Sequence, residues 1–207
     1  MPVKPPTPIA PLYIDLSLPW AADETGFEAN DREEALMRLG HRGTHLDRVL
    51  RTRVPLEYFK SRALAFEVGA FCRDRAVELA DLPWELVRAR DFVLIRTGAL
   101  ERHGYGTRAY LDEFFELSWE IIDKLIERQV RFIGVDARGI RRNAEHAEAD
   151  ARCERSGIYV IENLTGTEKL PLASPFSMYV MCFDLGGTGI PCRCLAELNG
   201  KPLWADI

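Results

Sequence analysis

The sequence has no apolar run long enough to cross a membrane and no excess of basic residues. No stretch approaches the roughly 20 apolar residues that a membrane-spanning helix needs. The 207 residues carry a net charge of −5 and have a pI near 5.5. This acidic balance argues against a nucleic-acid-binding surface, which normally carries a basic stripe. We therefore expect neither membranes nor nucleic acids among the partners of the protein.

Cysteines and targeting signals are also scarce. The five cysteines are an odd number and lie mostly in apolar runs, which favours small buried side chains over a disulfide framework. Residues 1–11 are rich in proline and lack the apolar core of a signal peptide. We expect an extended N-terminal arm over residues 1–11, a single domain over residues 12–207, and a cytoplasmic location.

Strand-like runs alternate with helical patterns along the chain. Strands are predicted at 12–16, 64–68, 92–96, 132–135, 158–161, 178–183 and 192–197. Helices are predicted at 31–39, 83–89, 117–127 and 143–155. Ser118 is a candidate N-cap of the third helix, and Ala144, Ala147 and Ala151 share one side of the fourth. The alternation predicts an α/β domain.

The most informative segment is 41–47, which contains two of the four histidines. At strand spacing, His41, His45 and Asp47 project from one face, because side chains alternate with a period of two. Two neutral imidazoles and a carboxylate suit a borderline divalent metal such as Zn²⁺ or Mn²⁺. A polar surface turn would contain the same residues, so the spacing alone leaves both interpretations open.

The same segment resembles the signature of the cyclase family of metal-dependent hydrolases, which includes bacterial kynurenine formamidases (arylformamidases) and isatin hydrolases. The family motif reads His-x-Gly-Thr-His-x-Asp-x-Pro-x-His. Val49 and Arg51 stand at the positions of its proline and its last histidine, whereas the other positions match at His41, Gly43, Thr44, His45 and Asp47. The resemblance covers nearly the whole chain, because further family segments are matched in order at 13–17, 91–98, 132–136, 157–164 and 187–193.

The resemblance implies a fold and a set of metal ligands. The implied fold is a swivelling β/β/α arrangement, with a mixed central sheet, a second antiparallel layer and flanking helices. Glu162 corresponds to a family metal ligand, and Asp150 stands where the family has a further histidine. The resemblance therefore implies one divalent metal, Zn²⁺ or Mn²⁺, with ligands among His41, His45, Asp47, Asp150 and Glu162.

Two of the four expected ligand histidines are thus replaced. Asp150 can still bind a metal through oxygen, which would favour harder ions, and His146 lies four residues too early unless a local shift brings it in. Arg51 stays protonated and cannot bind a metal. It could hold a substrate carboxylate with two parallel hydrogen bonds, or it could lie solvated in a basic turn. On this basis one metal is expected rather than two.

The implied activity is hydrolysis of an N-formyl or cyclic amide bond in a small, aromatic substrate by a metal-activated water. The two replacements motivate an alternative, in which the chain has lost hydrolysis and binds a small molecule or a metal. Lactone or dehydration chemistry on the same scaffold is a third possibility. The resemblance also implies a homodimer or higher homo-oligomer. A pocket for the aromatic substrate could be lined by Trp20, Phe27 and Trp119.

Overall fold

The computed structural model describes residues 10–19, 31–183 and 185–199. Within these ranges the strands are Leu12–Asp15 (β1), His45–Asp47 (β2), Lys60–Glu67 (β3), Phe92–Arg96 (β4), Phe132–Val135 (β5), Tyr159–Glu162 (β6), Phe176–Cys182 (β7) and Gly189–Leu198 (β8). The α-helices are Asp31–Arg38 (α1), Ala99–His103 (α2), Arg108–Asp112 (α3), Trp119–Glu127 (α4) and Ala144–Arg155 (α5). Most of the predicted arm (residues 1–9), Trp20 and Phe27 lie outside the described residues.

The strands form one mixed sheet that closes on itself. Their order is β1-β8-β2-β6-β5-β4-β3-β7, and β7 also pairs with β8, so that seven strands make a barrel and β1 extends it beside β8. Strands β3 to β6 run parallel to one another, whereas the remaining pairings are antiparallel. The expected α/β fold, with a mixed sheet, an antiparallel layer and flanking helices, is confirmed.

The parallel strands are buried on both faces, which explains their nearly continuous apolar sequences. In β4, Phe92 and Leu94 belong to the core inside the barrel, whereas Val93 and Ile95 belong to the core on the helix side. The five cysteines are free, and all except Cys182 are buried in one of these two cores. The sheet is therefore the wall between two apolar cores, as the cysteine-containing runs indicated.

Helix α4 begins where the sequence predicts. Ser118 accepts a hydrogen bond from the backbone N–H of Ile121 at 3.3 Å and so caps the helix. A cap of this kind typically stabilises a helix by about 1 kcal/mol. Ile121, Ile122 and Leu125 are fully buried against the sheet, in agreement with their helical spacing. None of the described helices is long and apolar enough to span a membrane.

The helix predicted at 83–89 is wrong. These residues form a hydrogen-bonded turn, in which the N–H groups of Leu86 and Val87 bond to the carbonyls of Pro83 and Trp84. Immediately afterwards Arg90 adopts a φ of 69°. This backbone conformation is left-handed, so a right-handed helix cannot continue through Arg90.

The three alanines that share one side of α5 differ in burial. Ala151 is buried, as are Ala149 and Asp150, whereas Ala144 and Ala147 are exposed. The side that faces the sheet is therefore partly polar, with a carboxylate among its buried residues. That polar side meets the outer face of β2 and β6, where the candidate functional residues lie.

Candidate metal centre

Strand β2 presents opposite chemistry on its two faces. Leu46 is fully buried in the core of the barrel, whereas His45 and Asp47 point to the other face, because side chains alternate along a strand. The antiparallel register places His45 directly opposite Glu162 of β6. As a result, Nε2 of His45 lies 3.4 Å from Oδ1 of Asp47 and 3.6 Å from Oε2 of Glu162.

His41 joins this face from the turn that precedes β2. Its Nδ1 lies 2.9 Å from Oδ1 of Asp47, and its Nε2 lies 2.8 Å from Oγ1 of Thr188. The rings of His41 and His45 meet edge-on, with centroids 5.1 Å apart. Gly43 makes the turn between them with a φ of 59°, a conformation that glycine adopts without steric cost.

Helix α5 brings a third histidine to the group. Nε2 of His146 lies 3.2 Å from Oδ2 of Asp150 and 3.2 Å from Oε1 of Glu162, and 4.0 Å from Oδ2 of Asp47. His146 and Asp150 are four residues apart, so they lie one above the other on the same side of the helix. Helix α5 therefore brings His146 into the group, although His146 lies four residues before the position of the family histidine.

These side chains form two overlapping groups that could hold a cation. In one group the ligand atoms of His41, His45 and Asp47 all lie within 4.8 Å of one another, and in the other those of Asp47, His146 and Glu162 do so. Asp47 is common to both. Imidazole nitrogens and carboxylate oxygens in such a set match the ligand preferences of Zn²⁺ and Mn²⁺.

Several buried atoms at the centre of the group have no hydrogen bond of acceptable geometry. They are Nε2 of His45, both carboxylate oxygens of Asp47, Oδ1 of Asp150 and Oε1 of Glu162. A buried polar atom without a partner typically costs about 1–3 kcal/mol, so such atoms are uncommon and rarely cluster. A cation placed among the lone pairs of His45, Asp47 and Glu162 would satisfy them together, and the residues therefore fit a divalent metal.

The electrostatics of the metal-free group are those of histidines paired with carboxylates. Burial opposes the charged form of His45, but the nearby charge of Asp47, with the charge of Glu162, raises the pKa of His45 to about 9. Burial likewise opposes the ionised form of Asp47, but the neighbouring histidines hold its pKa well below the usual value. Without a metal, a proton on His45 therefore balances the carboxylate of Asp47.

The pKa values of the second pair, His146 and Asp150, are also shifted. Burial alone would lower the pKa of His146, yet Glu162 and Asp150 raise it to about 12. Burial and the charge of Asp47 raise the pKa of Asp150 to about 7. His146 is still about one-third exposed, whereas Asp150 is buried. The imidazole thus lies at the open edge of the group, with the carboxylate behind it.

The structure brings some of the predicted site residues together directly and others only through a neighbour. Four predicted ligands, His41, His45, Asp47 and Glu162, converge directly, and Asp150 joins them through His146. His146 itself was not among the predicted ligands, although its i,i+4 spacing from Asp150 was a usable signal.

Arg51 lies apart from this convergence, in an exposed turn. Its φ is 59° and its backbone N–H bonds to the carbonyl of Arg48 at 3.0 Å. Of the two arrangements that the sequence left open for Arg51, the structure shows the solvated one. The charge of Arg51 therefore gives no reason to exclude a second cation.

A cavity of about 380 Å³ is lined by residues of the barrel core and of the loop that follows β2. Phe132, Val180 and Ile190 contribute core side chains to its wall, and it does not include any residue of the histidine and carboxylate group. Trp119, expected in a substrate pocket, instead packs against the helix-side core beneath the guanidinium groups of Arg141 and Arg152. The cavity and the group are therefore separate features.

Comparison with known proteins agrees with this geometry. The chain resembles the solved structure of a potential metal-dependent hydrolase with cyclase activity, with a TM-score of 0.73 and 20% identity over 93% of this chain and 100% of the other. It also resembles isatin hydrolase A from Labrenzia aggregata bound to benzyl benzoate (TM-score 0.73, 19% identity, 92% and 94% covered). A third match is isatin hydrolase A from Ralstonia solanacearum (TM-score 0.72, 18% identity, 91% and 92% covered).

At these identities the structural matches establish the fold. None of the curated proteins compared with the chain matches it. A family model described as Putative cyclase matches residues 14–141, which is more than half of the chain and includes the motif from His41 to Asp47. The protein belongs to this cyclase family.

Proposed function

We propose that the protein is a metal-dependent hydrolase that cleaves an N-formyl or cyclic amide bond of a small, aromatic substrate. The observation that carries this proposal is the convergence of buried ligand atoms of His45, Asp47 and Glu162 that lack a hydrogen bond of acceptable geometry. Membership of the cyclase family and the resemblance to isatin hydrolases support the substrate class. The proposed cofactor is one divalent ion, Zn²⁺ or Mn²⁺.

His41, His45, Asp47 and Glu162 would hold the ion. When bound, a divalent cation lowers the pKa of a water molecule and polarises the carbonyl of the scissile bond. Asp47 approaches both His41 and His45, so it keeps the two imidazoles on one side. Glu162 faces them across the β2–β6 pair. Because His41 is only partly buried, the group is open to a substrate on that side.

His146 and Asp150 are placed for proton transfer. Cleavage of an amide leaves a nitrogen that must gain a proton before it departs. His146 lies at the open edge of the group, and its Nε2 lies 3.2 Å from a carboxylate oxygen of Asp150 and 3.2 Å from one of Glu162. We therefore assign His146 as the proton donor and Asp150 as the residue that orients it. The ligand role first expected for Asp150 remains a prediction.

The test is metal content together with turnover. Protein purified without chelator is expected to contain about one equivalent of Zn²⁺ or Mn²⁺ and to hydrolyse isatin or an N-formyl anilide. His45→Ala should lose both properties, whereas Arg51→Ala is the matched control because Arg51 lies in an exposed turn and should keep both. Wild-type protein that neither contains nor takes up a divalent metal would contradict the proposal.

The replaced histidines still favour one alternative, a family member that binds a metal or small molecule without hydrolysing it. Arg51 stands outside the group, so the motif's last histidine has no counterpart there. Activity that appears only in the double variant Arg51→His and Asp150→His would identify the natural chain as such a non-hydrolytic member. Turnover by the unaltered protein would exclude that alternative.

A further inference from the structure

Gly43 determines how the ring of His45 is held. Nδ1 of His45 lies 2.9 Å from the carbonyl oxygen of Gly43. A carbonyl oxygen can only accept, so Nδ1 carries the proton, and in the neutral ring Nε2 is left with its lone pair. That lone pair faces Asp47 and Glu162. The position of one backbone carbonyl thus decides whether His45 can offer Nε2 to a metal.

Gly43 has no side chain that could fix the direction of its carbonyl group. Its φ is 59°, and a side chain at this position would meet nothing within 4 Å. Glycine has no Cβ and therefore has more conformational freedom than any other residue. The carbonyl therefore needs partners elsewhere in the fold to keep its direction.

Asn163, the residue after the ligand Glu162, supplies the main partner. Its Nδ2 donates to the carbonyl of Gly43 at 2.9 Å, and its Oδ1 accepts from the hydroxyl of Tyr110. The reversed amide would set Oδ1 against the Gly43 carbonyl, with two acceptors facing each other, so the hydrogen-bond pattern selects one orientation. The backbone carbonyl of Asn163 also accepts from Oγ1 of Thr44 at 2.7 Å.

The N–H of Gly43 is held from the same direction. It donates to the hydroxyl of Tyr105 at 2.8 Å. The rings of Tyr105 and Tyr110 lie 6.0 Å apart, in the loop before α3 and in α3 itself. Tyr110 and Asn163 are almost completely buried. One segment of the chain therefore secures both polar groups of Gly43, one directly and the other through Asn163.

We propose that Asn163, supported by Tyr110 and Tyr105, is a positioning residue that fixes Gly43 and thereby keeps His45 in the Nδ1–H tautomer. This inference rests on the proposed function only in taking the histidine and carboxylate group as the metal site. The tautomer itself is a property of the metal-free protein. Outer-shell partners of metal ligands act in this way, by fixing the tautomer and the ring orientation.

The decisive measurement is the protonation of the two His45 nitrogens, read from ¹H–¹⁵N spectra of metal-free protein as the pH is raised until the ring is neutral. In the wild type, Nδ1 is expected to be protonated and Nε2 bare. Asn163→Gly removes the amide while tolerating a φ of 58°. It should give a mixture of tautomers and weaken Zn²⁺ binding by about 10- to 100-fold.

A further variant separates positioning from general stability. Tyr159→Phe removes a hydroxyl from another buried tyrosine, which bonds to the carbonyl of Arg53 at 3.1 Å. It should lower the melting temperature without changing the His45 signals. If Asn163→Gly does not fold, Tyr110→Phe provides the same test with a smaller shift.

An unchanged His45 tautomer in Asn163→Gly, or in Tyr110→Phe when that variant replaces it, would overturn the positioning role. The outcome is independent of the proposed function. A shifted tautomer in a protein that binds no Zn²⁺ would support positioning and contradict the hydrolase, whereas intact Zn²⁺ binding and turnover with an unmoved tautomer would contradict positioning alone.

Discussion

Two buried carboxylates, at Asp136 and Asp47, have opposite surroundings. Asp136 follows β5 and is 1% exposed, and Asp47 ends β2 and is 2% exposed. Asp136 accepts hydrogen bonds from the N–H and hydroxyl of Thr97 at 2.6 and 2.7 Å, from the N–H of Gly98 at 2.8 Å and from the hydroxyl of Thr167 at 3.3 Å. Neither oxygen of Asp47 has a hydrogen bond of acceptable geometry.

The difference separates a structural carboxylate from one that suits a ligand. Asp136 ties the end of β4 to the end of β5, and every one of its contacts is to a neutral donor of the fold. Asp47 is surrounded by imidazoles whose protons a metal would replace. Burying a charge is expensive unless it is paired or binds a metal. The fold therefore satisfies one carboxylate itself and leaves the other for a partner.

The largest expected effect is on metal binding by Asp47→Asn. The amide keeps the shape of the side chain but loses the charge that both candidate groups share. We expect the affinity for Zn²⁺ to fall by more than about 100-fold, beyond the effect of losing an outer-shell partner, when it is measured by competition with a chromophoric chelator. The metal-free variant should lose less stability than Asp136→Asn does. Unchanged affinity would remove Asp47 from the ligand set.

Asp136→Asn should instead weaken the fold. The amide nitrogen would face N–H donors, so that at least one of them is left buried without an acceptor. We expect the free energy of unfolding to fall by about 3 kcal/mol, as measured by urea denaturation, while metal affinity is retained. Asp123→Asn is a suitable control, because this carboxylate is half exposed and pairs with Arg152 at the surface, where a pair contributes about 0–1 kcal/mol. A loss no larger than the control's would refute the structural role.

The sequence was sufficient to identify the central part of the site. Strand alternation places His45 and Asp47 on one face of β2, and the family resemblance added Glu162. His41 joins them as predicted, but from the turn before β2 rather than from a strand. Strand positions were recognisable because β4 and β5 are apolar on both faces. These are local patterns, and local patterns survive without knowledge of the tertiary structure.

What the sequence did not predict depends on how separate elements meet. His146 enters the group only because α5 packs with a polar side toward β2 and β6. The direction of Arg51 is decided by a backbone turn with φ at 59°, which no side-chain pattern signals. Helices α2 and α3 have five residues each, too few to show periodicity, so the role of Tyr110 was not visible either.

The pH dependence of stability should distinguish the two carboxylates further. In the metal-free protein the pKa of His45 is raised from 6.5 to about 9. Its contribution is therefore fully present below pH 6.5 and is lost as the pH rises through about 9. We expect the stability of metal-free protein to decline across this window, and the stabilisation by Zn²⁺ to grow, because the metal needs the neutral ring.

Thermal unfolding at pH 6.5 and pH 9, with and without Zn²⁺, provides the measurement. His45→Gln is the control, since it removes one of the two titrating rings. It should reduce the decline in the metal-free protein and leave the part that His146 contributes, because the pKa of His146 is raised to about 12. The environment of Asp136 contains no histidine among its described partners, so Asp136→Asn should retain the slope. If the slope were as steep in His45→Gln as in the wild type, the pairing of His45 with Asp47 would not contribute to it.

The smallest expected effect is that of Thr167→Val, which removes the longest of the four hydrogen bonds to Asp136. The substitution preserves side-chain shape, and three closer bonds to the carboxylate remain, so the free energy of unfolding should fall by about 1 kcal/mol or less. Thr97→Val should cost more, because the hydroxyl of Thr97 bonds to Asp136 at 2.7 Å and also accepts from the N–H of Ala99 at 3.0 Å. Urea denaturation of both variants would show whether Asp136 is held by several donors together. If Thr167→Val lowered the free energy of unfolding as much as Asp136→Asn does, the stabilisation would depend on the contact with Thr167 alone. The contrast with Asp47 would then be smaller than the four hydrogen bonds of Asp136 indicate.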